Sequence, residues 1–414
     1  MIDVAIIGGG PAGLIAAWRA AERGRKTTLF DKNREPGVKI LLSGGTRCNL
    51  THAADARGIV EAFGDSGRFL HSALAAFGPR QVVDFFEAEG VPTKIELGGK
   101  VFPKSDRAAD VRDALLRRVK QAGCTLAMNE TIVDVVAIEK AVKETAGFSI
   151  LTSQRTMRAE KLVLATGGQS YPAVGTTGDG YRFAAAFGHT IVPPRTALVP
   201  ITSHADWATA LQGVTLPDVV VEIFDPADGK TWMRRRGSLL FTHFGVSGPV
   251  ALDVSRAVSG HPRPNTLLLR VDLLPDVKPV ELERSLAEVQ AAGGKRKAAV
   301  LLDGLLPHRV GAAAVLLSGT PADLPIGEFS KSQRHRLVQT VKRFDIPVAG
   351  TMGFRKAEVT AGGVSLDQLD SRTMQSKLVP GLFFAGELLD LDGPVGGYNF
   401  QAAFSTGWLA GESV

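Results

Sequence analysis

Apolar and polar positions along the first thirty residues fall into two registers that adjoin. Ile2, Val4, Ala5, Ile6 and Ile7 form a short apolar run of the buried-strand type, and it runs into Gly8, Gly10 and Gly13. Ala and Leu at helical spacing follow from Pro11 and Ala12 onward, and a second apolar run, Thr27 to Phe30, ends in Asp31. The pattern predicts strand, tight glycine turn, helix, strand. In such a unit the first glycine permits the turn, the second lets a pyrophosphate approach the backbone, and the third lets the helix pack on the strand with its N–H groups aimed at phosphate. An acid about 20 residues beyond the glycines reaches an adenosine ribose. Gly8, Gly10, Pro11, Ala12, Gly13, Asp31 and Lys32 are therefore expected to hold the adenosine diphosphate half of a dinucleotide.

Further along, the periodicity predicts helices over 68–77 and 79–89, a hairpin turning at Gly98 and Gly99, and an amphipathic helix from Asp110 to Ala122 with Val111, Leu115, Leu116 and Val119 on one face. Short strands follow near 125–128, 132–138 and 147–152. A buried-type strand, Leu162 to Ala165, then runs into Thr166, Gly167 and Gly168, where backbone can pass close to a ligand. Pro193 and Pro194 mark a break. From Thr196 to about Ser255 alternating β-type runs predict a small antiparallel barrel or sandwich, and a strand from Thr266 to Val271 precedes helices near 279–291, 296–302, 307–317 and 330–343. The α/β pattern then returns. The expected class is α/β: a discontinuous Rossmann-like domain (1–190 and 353–414) interrupted by a β-barrel-like domain (191–275) and a small helical domain (276–352).

Composition narrows the chemistry. The 414 residues include 48 Lys and Arg against 42 Asp and Glu, a formal charge of +6, and basic clusters such as Arg234 to Arg236 and Lys295 to Lys297 lack interleaved aromatics, so they read as solvated surface. Cys48 and Cys124 are the two cysteines, far apart and without metal spacing; no metal site is expected, and Cys124 reads as core. The apolar N-terminus lacks the basic flank of a signal peptide, and no apolar run of about 18 residues predicts a membrane span. A cytoplasmic protein is the expectation.

Two further stretches carry candidate chemistry. Residues 32–52 are glycine-rich and dense in donors: Ser43, Gly44, Arg47 and Asn49 are placed to close over a cofactor, with Cys48 as a small buried side chain among them. Near the C-terminus, Leu382 to Ala385 reads as a strand ending at Gly386 and Glu387, and Gly396 and Gly397 lead into a helix from about Asn399. A carboxylate at a strand end suits sugar-like hydroxyls, and a helix N-terminus favours developing negative charge on a ring carbonyl. Those are flavin requirements, so Glu387 is assigned to a ribityl chain, and Thr360, Gly362, Gly396, Gly397, Tyr398 and Asn399 to an isoalloxazine. His243, flanked by Thr242, Gly245, Ser247 and Gly248, is either a proton donor or hydrogen-bonded structure.

Together GGGPAG at 8–13, KILLSGGTRCNLTH at 39–52, ATGGQSYPAVGTTGDGY at 165–181, LFTHFGVSGP at 240–249 and the stretch from 373 onward resemble the HI0933-like, or BaiN-like, family of bacterial FAD-dependent oxidoreductases, over nearly the whole chain. Asp31 stands where related sequences often have Glu, and Thr46 and His52 where Gly and Asn are common. The resemblance implies noncovalent FAD and labels such as NAD(P)/FAD-dependent oxidoreductase, aminoacetone-oxidase-like protein and reductase of unsaturated 3-dehydro bile acids. The expected reaction is hydride transfer through flavin N5, with NAD(P)H as a transient reductant of an unsaturated or carbonyl small molecule and His243 or Tyr398 as proton donor. No second GxGxxG unit is present for the nicotinamide. An oxidase passing electrons to O₂ from an amine or aminoketone is the alternative. A flavin-containing nucleic-acid-associated protein ranks third, with only the high pI behind it; no specific nucleic-acid partner is expected, and the oligomeric state is left open.

Overall fold

The first apolar run is a strand, β1 (Ile2–Ile7), buried except for Asp3 at its edge. Its glycine turn delivers the chain into a helix, α1 (Pro11–Glu22), with Pro11 in the first turn where its missing N–H costs nothing. The chain returns as β2 (Thr27–Asp31), parallel to β1 with Val4 opposite Thr27 and Ile7 opposite Phe30. The computed structural model describes residues 1–138 and 146–414. These divide into two compact units, Met1–Arg195 with Glu358–Val414, and Thr196–Ala357.

The sheet of the first unit runs Thr125–Met128, β2, β1, Thr156–Leu164, Gly147–Thr152, Ile132–Ile138, with Leu382–Phe384 added parallel to Thr156–Leu164. Both faces of its parallel part are covered, which explains the unbroken apolar character of β1 and of Leu162 to Leu164. The last helix, Tyr398–Ser413, lies on α1. The two backbones approach so closely that a Cβ at Gly407 would sit 2.3 Å from the Ala12 carbonyl oxygen, and one at Gly411 2.6 Å from that of Ala16. Trp18, Phe77, Phe85 and Trp408 fill the adjoining core, with Trp18 stacked on Phe85 at 4.6 Å and Phe77 on Trp408 at 4.7 Å. The α/β fold is thus discontinuous, as expected, and its C-terminal return supplies both a strand and a helix.

The second unit holds an antiparallel seven-stranded sheet in the order Phe344–Pro347, Leu268–Asp272, Thr215–Asp225, Lys230–Thr242, Gly245–Ser247, Ile201–Thr202, Gly350–Thr351. Its two end strands are joined by Val348 and Ala349 alone, so the sheet curls until its edges meet, in a barrel-like manner. Helices Pro279–Gly293, His308–Leu317 and Lys331–Lys342 form the helical region beside the sheet, and Ser330 caps the last by accepting from Gln333 N at 3.3 Å.

Two expectations need correction. Residues 249–255 do not continue the β pattern: Gly248, at φ 89°, hands over to Pro249, and Pro249–Gly260 is a helix with Val250, Ala251, Val254 and Val258 buried. The period of those apolar positions is helical, not alternating. No α-helix forms over 296–302, only a short 3₁₀ turn, Ala298–Val300, because Lys297 pairs with Pro325 and Arg296 O accepts from Ile326 N at 2.7 Å. Pro193 and Pro194 stand just before the boundary between the two units, at Arg195 and Thr196; they lie in strand Ile191–Ala197, which among the described residues pairs with Val359–Val364 alone and so leaves an edge where proline loses no ladder bond.

Candidate functional site

The glycine turn after β1 meets the requirements of a dinucleotide cradle position by position. Gly8 has φ 107°, and a Cβ there would lie 2.4 Å from the Ala165 carbonyl oxygen; a Cβ on Gly13 would lie 1.8 Å from the carbonyl oxygen of Gly8. Neither position tolerates a side chain. Gly10, the N-cap of α1, faces open space, with no atom within 4 Å of an added Cβ and no side chain capping the helix. Open space at the middle glycine and close packing at the outer two is the pattern a pyrophosphate at a helix N-terminus needs. Pro11 and Ala12 stand in that first turn.

At the end of β2, the Asp31 carboxylate accepts from Gly9 N at 2.6 Å and Asn33 N at 2.7 Å. Burial pushes its pKa above the ordinary carboxylate value, against the opposing pull of the two N–H groups and of Lys32. Lys32 itself turns to the loop after Leu164, donating to Thr177 Oγ1 at 2.5 Å and Asp179 Oδ2 at 2.6 Å, and Asn33 Nδ2 donates to Val174 O at 3.0 Å. These bonds tie the 171–179 segment to the carboxyl end of β2, which brings two expected cofactor segments together.

A second polar centre forms around Glu387. Its Oε1 accepts from Ser170 Oγ at 2.7 Å and Thr360 N at 3.1 Å, while Oε2 accepts from Lys39 Nζ at 2.5 Å. Lys39 also donates to Ser170 Oγ at 2.6 Å. Thr360 Oγ1 in turn accepts from Gln169 N at 2.8 Å and Ser170 N at 3.0 Å. Gly168 must be glycine here, since its Cβ would fall 2.4 Å from Thr360 Oγ1, and Gly167 takes φ 74°. Gly362 makes a close approach of its own, with φ 83° and the Pro193 carbonyl oxygen 2.5 Å from an added Cβ. Gly386, at φ 74°, donates to Thr406 Oγ1 at 3.0 Å and sits against Ala12, so the Glu387 turn rests on the start of α1.

The third group surrounds the N-terminus of the last helix. Tyr398 stacks on His52 at 4.6 Å, and His52 Nδ1 lies 3.1 Å from Gly396 O. Asn399 clamps the preceding loop, accepting from Gly393 N at 2.8 Å and donating to Gly393 O at 2.9 Å. Gly397, the N-cap at φ 92°, leaves no room for a Cβ, which would meet Thr51 O at 2.4 Å and Asn49 Oδ1 at 2.7 Å. Among the described residues, the buried atoms Asn49 Oδ1, Thr166 Oγ1 and Tyr181 OH have no hydrogen-bond partner, and burial followed by the charges of Glu387 and Asp390 raises the Tyr181 pKa. Orphaned polar atoms next to a carboxylate centre and an uncapped helix fit a group rich in hydroxyls and phosphate oxygens.

The donor-rich loop is more inward-looking than its composition predicts. Arg47 pairs with Glu96 at 2.8 Å and Asp106 at 3.4 Å and covers the Phe102 ring at 4.1 Å. Ser43 Oγ donates to Ile40 O at 2.7 Å, and a Cβ on Gly44 would press on Asn49 N at 3.1 Å. Cys48 is fully buried and its thiol is pushed up to about 12. His243 belongs to the second unit, exposed on the turn after Lys230–Thr242, edge-on to Phe244 at 5.0 Å. Sequence reasoning missed Lys39 and His52. The signal for Lys39 was a lone cation in the apolar run Val38, Ile40, Leu41, Leu42; that for His52 was faint, an aromatic ring closing a polar loop.

A glycine turn open at a helix N-terminus, a buried acid at the end of β2 and a carboxylate centre built on Glu387 fit an FAD-dependent oxidoreductase. The profile of the HI0933-like protein Rossmann domain matches residues 2–413, and the chain belongs to that family. It is 34% identical over 415 residues to the "Ribosomal RNA dihydrouridine synthase" of Escherichia coli, covering 100% of this chain and 98% of that protein. It is 30% identical over 417 residues to the "3-dehydro-bile acid delta(4,6)-reductase" of Clostridium scindens, covering 100% and 99%. Among solved structures, 3-ketosteroid delta1-dehydrogenase from Sterolibacterium denitrificans shares the fold, with a TM-score of 0.52, 13% identity and coverage of 99% and 98%.

Proposed function

We propose that this protein uses NAD(P)H to reduce a carbon–carbon double bond conjugated to a carbonyl, and that the bond is C5=C6 of a uridine in ribosomal RNA. The observation that carries the reading is end-to-end similarity to two relatives whose names share one chemistry. Dihydrouridine is uridine saturated at C5–C6, conjugated to the C4 carbonyl, and a 3-oxo steroid with an unsaturated ring presents the same enone. The nucleic-acid choice is supported by the greater identity to the RNA-acting relative and by charge: Thr196–Ala357 carries 20 Lys and Arg against 15 Asp and Glu, a net +5 of the chain's +6. This revises the expectation of a small-molecule substrate without a nucleic-acid partner.

Reduced FAD supplies hydride from its N5 when bound. Gly8, Gly10, Pro11, Ala12 and Gly13 would hold its pyrophosphate, Asp31 its adenosine ribose, and Glu387 with Ser170, Thr360 and Lys39 its ribityl hydroxyls. Gly396, Gly397, Tyr398 and Asn399 would bound the ring. The substrate's β carbon takes the hydride and its α carbon a proton; the two hydrogens saturate the bond, and NAD(P)H leaves as NAD(P)⁺. Tyr398, held by His52, or His243 would give that proton.

The test is anaerobic. Holoenzyme with NADPH or NADH should bleach, then convert uridine to dihydrouridine in protein-free ribosomal RNA, read as a gain of two hydrogens after nuclease digestion and mass spectrometry. Conversion of unsaturated 3-oxo steroids but not RNA would move the substrate to the small-molecule class. Failure of both nicotinamides to bleach the flavin, with rapid peroxide formation in air from an amine, would replace the reading with the oxidase.

A further inference from the structure

Most of the excess positive charge of the second unit is concentrated in one region. Between Leu273 and Arg343 there are 11 Lys and Arg against 7 Asp and Glu. The helix Lys331–Lys342 holds Lys331, Arg334, Arg336 and Lys342, has Arg343 as its C-cap, and contains no acid. Leu337, Val338 and Val341 turn into the core. Arg334 pairs with Glu283 at 3.2 Å and Lys342 with Asp272 at 2.8 Å. Lys331, His335, Arg336 and Arg343 remain exposed, and no carboxylate pairs with any of them among the described residues. At 100° per residue these four positions, with Gln339, span an arc of about 140° on one side of the helix. Lys331, His335 and Arg336 also line an open groove against Pro279, Val280 and Glu283, the last already neutralised by Arg334.

We propose that this face of the helix is the contact surface for the sugar–phosphate backbone of the RNA. The inference rests on the RNA reading above and adds the residues that would bind it. A ridge of unpaired cations on a rigid helix releases counterions when phosphates replace them, and gives affinity without base sequence. Arg235, on the sheet, makes the contrast: its neighbours Arg234 and Arg236 are neutralised by Glu222 at 3.1 Å and by Asp218 and Asp276, each at 2.6 Å.

Binding of FAD-loaded enzyme to in-vitro transcribed ribosomal RNA, titrated from low to high salt, tests it against the triple variant Lys331→Gln, Arg336→Gln, Arg343→Gln. Because Arg336 Nε donates to Ser318 O at 3.0 Å, the double variant Lys331→Gln, Arg343→Gln is measured alongside, with melting temperature and FAD content for both. The wild type should show a steep fall of log affinity with log salt, and each lost cation should flatten the slope by about 0.7–0.9. A salt-dependent wild type with unchanged slopes in both variants overturns the assignment while leaving the RNA reading intact. A wild type with no salt-dependent RNA affinity overturns both. Equal loss of binding to phosphatidylglycerol vesicles, with RNA binding unaffected, would assign the face to a lipid surface instead.

Discussion

Lys39 Nζ and Glu387 Oε2 lie 2.5 Å apart although 348 positions separate them in sequence. Both side chains are about four-fifths buried, and Lys39 takes Oε2 while Ser170 Oγ and Thr360 N take Oε1. Losing the cation would leave a buried carboxylate with Ser170 Oγ and Thr360 N alone. Lys39→Met should therefore weaken FAD binding by roughly tenfold or more, as loss of a charge-assisted bond implies, and Lys39→Arg should recover part of it. FAD dissociation constants from absorbance titration of apoprotein decide the matter; a lower melting temperature with unchanged FAD affinity would make Lys39 purely structural.

Asp31 connects pH to both cofactor binding and stability. Burial raises its native pKa above the ordinary carboxylate value, so between the unfolded and the native pKa the native state holds a proton that the unfolded chain has released. The group's contribution to stability is thus greatest below that window and falls as pH rises through it. With Asp31 as the proposed ribose acceptor, cofactor binding has the opposite sense, because the hydroxyls need the ionised carboxylate. FAD affinity should fall on acidification with a midpoint above the ordinary carboxylate range, and Asp31→Asn should bind weakly and without that pH dependence. Fluorescence of released FAD at graded pH provides the readout.

Thr46 takes φ 70°, a conformation unfavourable for a β-branched residue, in the same loop where Gly44 and Gly45 have φ 55° and 66°. Its hydroxyl reaches only the neighbouring Gly45 O, at 2.6 Å, while its carbonyl accepts from Ala108 N at 2.9 Å, a backbone bond that glycine retains. Thr46→Gly should stabilise the protein by about 1 kcal/mol, raising the melting temperature by about 2 °C without altering FAD content. Differential scanning fluorimetry of the two holoproteins suffices.

Burial pushes both thiols, Cys48 and Cys124, up to about 12. At pH 8 neither is a thiolate to any useful extent. Native protein should resist iodoacetamide and react at both positions only after denaturation, counted by intact mass. Rapid labelling of Cys48 in the folded state would place a reactive thiol in the cofactor loop.

Local geometry was legible in the sequence; distant pairing was not. Gly8, Gly13 and Asp31 declare themselves because the turn, the helix approach and the strand end are all set within 25 residues. Glu387 stood out as an acid at a strand end, but its partners Lys39 and Ser170 meet it only through the sheet order, which no local period encodes. The same limit hid the stacking of His52 on Tyr398 and the pairing of Arg47, expected as a cofactor donor, with Glu96 and Asp106. Pro249–Gly260 is lost to an alternating reading for another reason: Val and Ala suit both helix and strand, and the β-rich residues before Gly248 carry the β pattern past the Gly248–Pro249 helix start.

The close packing of Gly407 and Gly411 on α1 bears on how the protein is made. The glycine turn is made before Thr196–Ala357, whereas the helix that covers α1 and the Glu387 turn that rests on Ala12 are made after it. Throughout translation of Thr196–Ala357, the first βαβ unit waits with one side of its helix bare. The strand Leu382–Phe384 likewise joins Thr156–Leu164 only after the whole of Thr196–Ala357 has been made, so completion of the first unit waits on the second.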